Sequence, residues 1–471
     1  MIENIPLALS ATLFSIFTIR FLIAKWHQND LIAPDSVYSA LVLMHFFVPA
    51  ILYSAEIGPK FVARENEDFL LQATVYAFVC LTFLQVGSLY YSKIFNPNQW
   101  LTTRRSTREW SGSGLILGVF FLEVAGWLAR FYIVSSNAYF QTARTSIGEI
   151  NETFFAAVMM IELFPLYAIC AVAIWSFRPS RLSGRGLMFG LLAILIVLEL
   201  AYWVPSGRKE PVILTLLLPS IIKYIRTGAM PAGRTVVVIA VAIASLFPLA
   251  FLYRGGLELP VDASDSIGAL LGAWNQSAGN SAIDVKTSDV TLSRISLLEP
   301  LAACIRLVND RIVELRLGND YADALLGLIP RFLWADKPNL HYGNDFGYLS
   351  GIIFAGDSLT SISVSFFGEG FLNFSWFGAG VFFLIGIAFN VIYQQHRSGA
   401  RTETWIFVYA VTLPTIMYVG GTFALYFGGL IKLIPFAYLL GRMMEGKRDR
   451  HQNLTRLPND SVVLTYDLGT K

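Results

Sequence analysis

The chain has 471 residues, 55% of them hydrophobic and 14% charged, with a mean hydropathy of +0.56. Soluble domains carry about 25% charged residues, so this composition excludes an ordinary soluble globule and indicates an integral membrane protein. The formal net charge of +2 conceals a strong segregation of basic residues, so their distribution guides the reading, and no nucleic-acid partner is expected.

Runs of about 17 to 25 apolar residues recur along the chain, the length that crosses a hydrocarbon core with every backbone group bonded inside its own helix. They predict spans at 4–24, 36–56, 69–91, 112–134, 153–177, 187–204, 210–225, 234–253, 371–393, 403–420 and 424–441. The fold class is therefore all-α and polytopic. Glu3 precedes the first run while Arg20 and Lys25 follow it, which marks a retained span and not a cleaved leader. The seventh run is short and follows Ser206-Gly-Arg-Lys-Glu-Pro211 directly; it reads as a true span rather than half of a re-entrant pair.

Alternate loops are basic: Lys93, Arg104, Arg105 and Arg108; Arg178, Arg181 and Arg185; Lys223, Arg226 and Arg234; Arg397 and Arg401; then Arg442, Lys447, Arg448, Arg450 and Arg456. The positive-inside rule places all of these in the cytoplasm, with the N-terminus outside and the C-terminus inside. The resulting organisation is 1–253 for spans 1 to 8, 254–363 for a long, partly helical extracytoplasmic loop, 364–443 for spans 9 to 11, and 444–471 for a mobile cytoplasmic tail. Within the loop, Leu297 to Leu317 reads as an amphipathic helix that lies on the membrane or roofs a cavity. Cys80 and Cys170 fall in apolar runs and Cys304 stands alone in the loop, so no disulfide framework is expected. No internal repeat of fixed period is visible, which disfavours a transporter built from duplicated halves.

Run in their predicted directions, the spans place Glu123, Arg130, Glu199, Arg208, Lys209, Glu210, Arg254 and Glu369 toward the outer leaflet. Ionisable residues at membrane depth cost several kcal/mol and usually face a partner or a watery cavity; snorkelling to the headgroups explains a single arginine, but a set at one depth points to a shared cavity. The chain lacks Asp-x-Asp and a nucleotide-binding Gly-x-x-x-x-Gly-Lys-Ser/Thr loop, and its five histidines are scattered. Neither a metal nor a cofactor is expected. Guanidinium groups at the headgroup level suit a membrane-anchored phosphate or diphosphate, which they bind bidentately without losing charge. In the loop, Trp334, Asp336, Lys337, His341 and Tyr342 offer aromatic faces and polar groups suited to sugar rings, although the same composition also builds an ordinary interfacial loop.

Four features together resemble the bacterial oligosaccharide repeat-unit polymerases, the Wzy-type O-antigen polymerases. They are Ser206-Gly-Arg-Lys-Glu-Pro211, Tyr253-Arg-Gly-Gly256, Ile329-Pro-Arg-Phe-Leu-Trp-Ala-Asp-Lys-Pro338 and Phe367-Gly-Glu-Gly-Phe-Leu-Asn-Phe-Ser-Trp-Phe-Gly378. In order and spacing they cover about Ala125 to Ile392; Lys209 and Glu210 depart from the pattern. The resemblance implies a multi-span glycosyltransferase of the GT-C type in the bacterial plasma membrane. It would join undecaprenyl-diphosphate-linked oligosaccharides at the outer face, among membrane lipids, with a chain-length regulator and a flippase as partners. In such a reaction Arg208, Arg254 and Arg331 would stabilise the diphosphate leaving group, with Arg130 and Lys337 as weaker candidates. Glu369 or His341, and after them Asp336, would take the acceptor proton, and Trp334, Asp336 and Tyr342 would contact sugar. An O-antigen ligase, a transporter or flippase of lipid-linked glycans, and a non-catalytic scaffold or sensor are the competing readings.

Overall fold

The computed structural model describes residues 5–55, 67–94, 109–136, 152–178, 185–206, 208–229, 233, 296–326, 329, 343–353, 362–397 and 402–446. Among these the regular structure is helical, with no strand beyond one isolated bridge between Trp110 and Glu445. In chain order the helices are α1 (Ile5–His27), α2 (Pro34–Val42), α3 (Val48–Ser54), α4 (Glu67–Ile94), α5 (Gly112–Ser135), α6 (Glu152–Ile161), α7 (Phe164–Ser176), α8 (Arg185–Ser206) and α9 (Lys209–Thr227). They continue with α10 (Leu298–Asn309), α11 (Asn319–Leu326), α12 (Gly343–Ser350), α13 (Ser365–Phe374), α14 (Ala379–Arg397), α15 (Glu403–Met417) and α16 (Phe423–Met443).

Seven stretches among the described residues are long and apolar enough to cross a membrane: Ile5–His27, Pro34–Ser54, Glu67–Ile94, Gly112–Ser135, Ala157–Ser176, Gly186–Ser206 and Ser365–Gln394. The chain is thus a multi-pass helical membrane protein. Its outward-facing side chains agree: Ile116, Leu117, Phe120, Leu128 and Phe131 of α5 are all exposed, as expected of a surface that meets lipid and not water. The expected count of eleven is not reached by these criteria. Spans 7, 10 and 11 correspond to α9, α15 and α16, and span 8 lies outside the described residues.

Two cores hold the bundle. One joins α1 to α4 with α10, α13, α14 and the α15–α16 pair through Phe46, Phe47, Tyr76, Phe367, Phe371 and Phe382. The other wraps α7, buried almost all round from Leu166 to Ile174, with α5, α8, α9, α15 and α16. At one end of the bundle the basic loops meet. Arg178, closing α7, ion-pairs with Glu403 at the start of α15, and the other carboxylate oxygen of Glu403 takes Arg226 from the end of α9 at 3.1 Å. Trp110 N donates to the same carboxylate at 2.8 Å, and Ser111 N donates to Met444 O at 3.0 Å. Helix ends that the charge pattern assigns to one side therefore do share one side, called the basic end below.

Several helices depart from the expected spans. The run 153–177 is broken between α6 and α7, because Pro165 has no N–H to continue the helical ladder. The stretch 297–317 is helical only to Asn309; Arg311 then turns with a positive φ of 56°. Instead of showing one apolar face, α10 is buried from Leu298 through Ile305. Leu297 N donates to His45 O at 3.0 Å, where a π-turn midway along Pro34–Ser54 frees that carbonyl. At its other end Asn309 reaches Gln72 near the start of α4, so α10 rises from within the bundle. The Gly-rich segment around Glu369 lies inside α13, ahead of the expected start of span 9 at 371, and the helix ends at Ser375, with φ 52°.

Candidate functional site

Arg130, on α5, is 1% exposed, and so are Glu162 and Glu199. Its Nη2 donates to Glu199 Oε1 at 2.7 Å. Its Nε and Nη2 also donate to the carbonyl of Glu162 at 3.3 and 3.2 Å. That carbonyl is available because of the α6–α7 break: Leu166 N, which a continuous helix would aim at Glu162 O, bonds instead to Leu163 O. Gly126 lets α5 come this close, since a Cβ there would stand 2.2 Å from Pro165 Cδ. Aromatic rings complete the enclosure, with the Arg130 guanidinium 4.2 Å from the Tyr202 ring centroid and 5.0 Å from that of Trp127.

Glu162 passes the connection on. Its Oε1 accepts from Tyr202 OH at 2.8 Å and its Oε2 from Arg208 Nη1 at 2.8 Å. Trp203 Nε1 donates to Glu199 Oε2 at 2.5 Å, and its ring also lies under Arg208. Glu123 sits beside the group, bonded to Trp127 Nε1 at 3.0 Å. Two arginines and two glutamates thus neutralise one another in a ring of aromatics. Two donors, Arg130 Nη1 and Arg208 Nε, are buried with no hydrogen-bond partner among the described residues.

Of the residues expected at the site, the structure unites Arg130, Glu199 and Arg208. Glu162 is an addition that composition hides in an apolar run; the signal that could have found it is an acid three residues before Pro165, where a helix must break. Arg208 is the N-cap of α9, with extended backbone and no side-chain cap. α9 itself runs from this network to Glu403 at the basic end, joining the two ends in 19 residues. Glu369, also 1% exposed, belongs to a second place: its Oε2 accepts from Phe423 N at 2.5 Å, at the first turn of α16. Near it, Asn373 bonds Asp320, which ion-pairs with Arg316 at 2.9 Å. Arg254, Arg331, Trp334, Asp336, Lys337, His341 and Tyr342 lie outside the described residues.

Between the two places is a cavity of about 230 Å³, bordered by α7, α9, α15 and α16. Leu163, Tyr167, Glu210, Leu214, Tyr418 and Tyr426 are among its lining residues. Leu163 adjoins Glu162 and Glu210 follows Arg208 by two positions in the sequence, while none of Arg130, Glu162, Glu199 and Arg208 itself lines the cavity. Tyr426 packs on Phe366 with ring centroids 4.5 Å apart, linking its far wall to α13. Among the described residues no group of three or more His, Cys, Asp or Glu is arranged to hold a metal ion.

The chain matches no protein-family model, no curated protein and no solved structure.

Proposed function

We propose that this protein is a membrane glycosyltransferase that polymerises undecaprenyl-diphosphate-linked oligosaccharide repeat units into O-antigen or a related surface polysaccharide, at the outer face of a bacterial plasma membrane. The observation that carries the reading is Arg208, held by Glu162 at 2.8 Å on one side, with its Nε unpartnered among the described residues and a cavity lined by Glu210, two positions further on. A guanidinium fixed by one carboxylate is oriented before a ligand arrives, and orientation in advance is what makes charge stabilisation effective in a transition state. In this proposal eleven spans place the N-terminus outside and the C-terminus in the cytoplasm, and the connection 254–363 belongs to the outer side, with its α10 set into the bundle. Arg208, with Arg254, Arg331 and Lys337, receives the diphosphate. Arg130, enclosed and paired, positions Glu162 and α8 and does not touch substrate. A chain-length regulator and a flippase act beside it.

Arg208→Ala and Arg331→Ala are expected to leave the protein in the membrane while the cells carry single, unpolymerised repeat units, read by electrophoresis of the surface glycan. Normal glycan length in both variants would remove the site. A second reading, translocation of the lipid-linked glycan, draws on α10 and α13, helices of 12 and 10 residues that start within the bundle; discontinuous helices of this kind serve transporters. It predicts no glycosidic bond formation by purified protein in detergent.

A further inference from the structure

The cavity lined by Glu210 has chemistry of its own. It is lined mainly by Leu163, Leu166, Leu214, Val411 and prolines, with three tyrosines and one carboxylate, that of Glu210. Four acids of the bundle are engaged: Glu162 by Arg208 and Tyr202, Glu199 by Arg130 and Trp203, Glu369 by the α16 backbone, Glu403 by two arginines. Glu210 is different. It has no hydrogen bond or ion pair among the described residues. It stands in the first turn of α9 and lines the cavity, with Tyr418 close enough to interact with it electrostatically. At about 230 Å³, the space is smaller than the roughly 300–1,000 Å³ of pockets that enclose a whole ligand, so it takes one part of a larger molecule. Tyrosine faces with a single free carboxylate suit a sugar ring that presents a hydroxyl.

Resting on the glycosyl-transfer reading above, we infer that this cavity is the acceptor-sugar subsite and that Glu210 is the proton acceptor of the transfer. The acceptor hydroxyl oxygen forms a bond to the anomeric carbon of the donor as that carbon's bond to the diphosphate oxygen breaks. The electron pair of the broken bond leaves on the diphosphate, beside Arg208, and the hydroxyl proton passes to a Glu210 carboxylate oxygen, from which water removes it. The placement of Glu210 two residues from Arg208 puts proton acceptance and leaving-group stabilisation on one helix start, so the two groups keep a fixed spacing.

The test uses the full-length protein in detergent and lipid-linked repeat units extracted from cells deleted for this gene. Wild type is expected to give a ladder of products, and Glu210→Gln to lose about 10²- to 10⁴-fold in rate, the range of a lost general base. Glu210→Asp should restore part of the rate. Binding of undecaprenyl diphosphate, followed by quenching of Trp203 fluorescence against a Trp203→Phe control, should be unchanged in Glu210→Gln. A ladder of equal rate from Glu210→Gln overturns the inference alone, as does loss of undecaprenyl diphosphate binding in that variant. Absence of any ladder from wild type overturns the transferase reading, and this inference with it.

Discussion

Arg130 costs the protein a charge at membrane depth, and its surroundings show how that cost is met. Glu199, the carbonyl of Glu162 and the faces of Tyr202 and Trp127 all converge on one guanidinium. Removing one partner of such a buried pair typically costs about 3–5 kcal/mol, whereas removing both charges together costs far less. Glu199→Gln should therefore unfold in detergent at clearly lower temperature than wild type, and Arg130→Met with Glu199→Leu should recover much of the loss; equal losses in the two would refute a coupled pair. At this scale the sequence exposed Arg130, Glu199 and Arg208, because charges stand out in apolar runs. It did not expose Glu162 as their hub, since the carbonyl that matters is backbone, freed by a proline three residues on.

Small residues decide how closely the helices approach. A Cβ on Gly87 would lie 2.1 Å from Phe383 O, and one on Gly386 would lie 2.2 Å from Leu84 O, so α4 and α14 touch backbone to backbone. Close approach through small residues is a common source of attraction between helices in lipid, where burial of apolar surface supplies none. Gly126 does the same for α5 against Pro165. Gly126→Ala is expected to cost about 1–3 kcal/mol by overpacking, while Gly190→Ala, with open space around it, should be neutral or stabilising. Thermal unfolding of the two variants side by side checks this, and equal stability would show that α5 shifts freely. The apolar runs located most helices because length and hydrophobicity suffice for that. The shortness of α10 and its burial on most sides depend on neighbours distant in sequence, such as His45 O, and periodicity carries no trace of them; the turn at Ser375 goes with the close approach of Gly378 to Gly370.

The whole molecule has two distinct ends. Arg178, Arg226 and Glu403 lock the basic end, and Arg130, Glu162, Glu199 and Arg208 lie toward the other. Alternation of basic loops was enough to sort the helix ends, since each loop contributes charge independently of packing. Absolute orientation is checked with thiol labelling, made simple by three native cysteines that are all buried. Ser135→Cys, exposed at the end of α5, should react with an impermeant maleimide on intact spheroplasts. Thr227→Cys, exposed at the end of α9, should react only after lysis; the opposite result would invert the proposed topology.

The same network also imposes an order on synthesis. Arg130 enters the membrane with the fourth span, but Glu162 follows 32 residues later and Glu199 69 residues later. At roughly 5–20 residues per second, the longer wait is about 3 to 14 s, during which the arginine lacks the carboxylate it bonds and has only Glu123 of its own span, and later Glu162, near it. The fourth span must be held by the insertion machinery, or keep its arginine near water, until α8 arrives. A ribosome that stalls before α8 thus leaves an unbonded guanidinium in the bilayer, a mark by which proteases can tell an unfinished chain from a finished one.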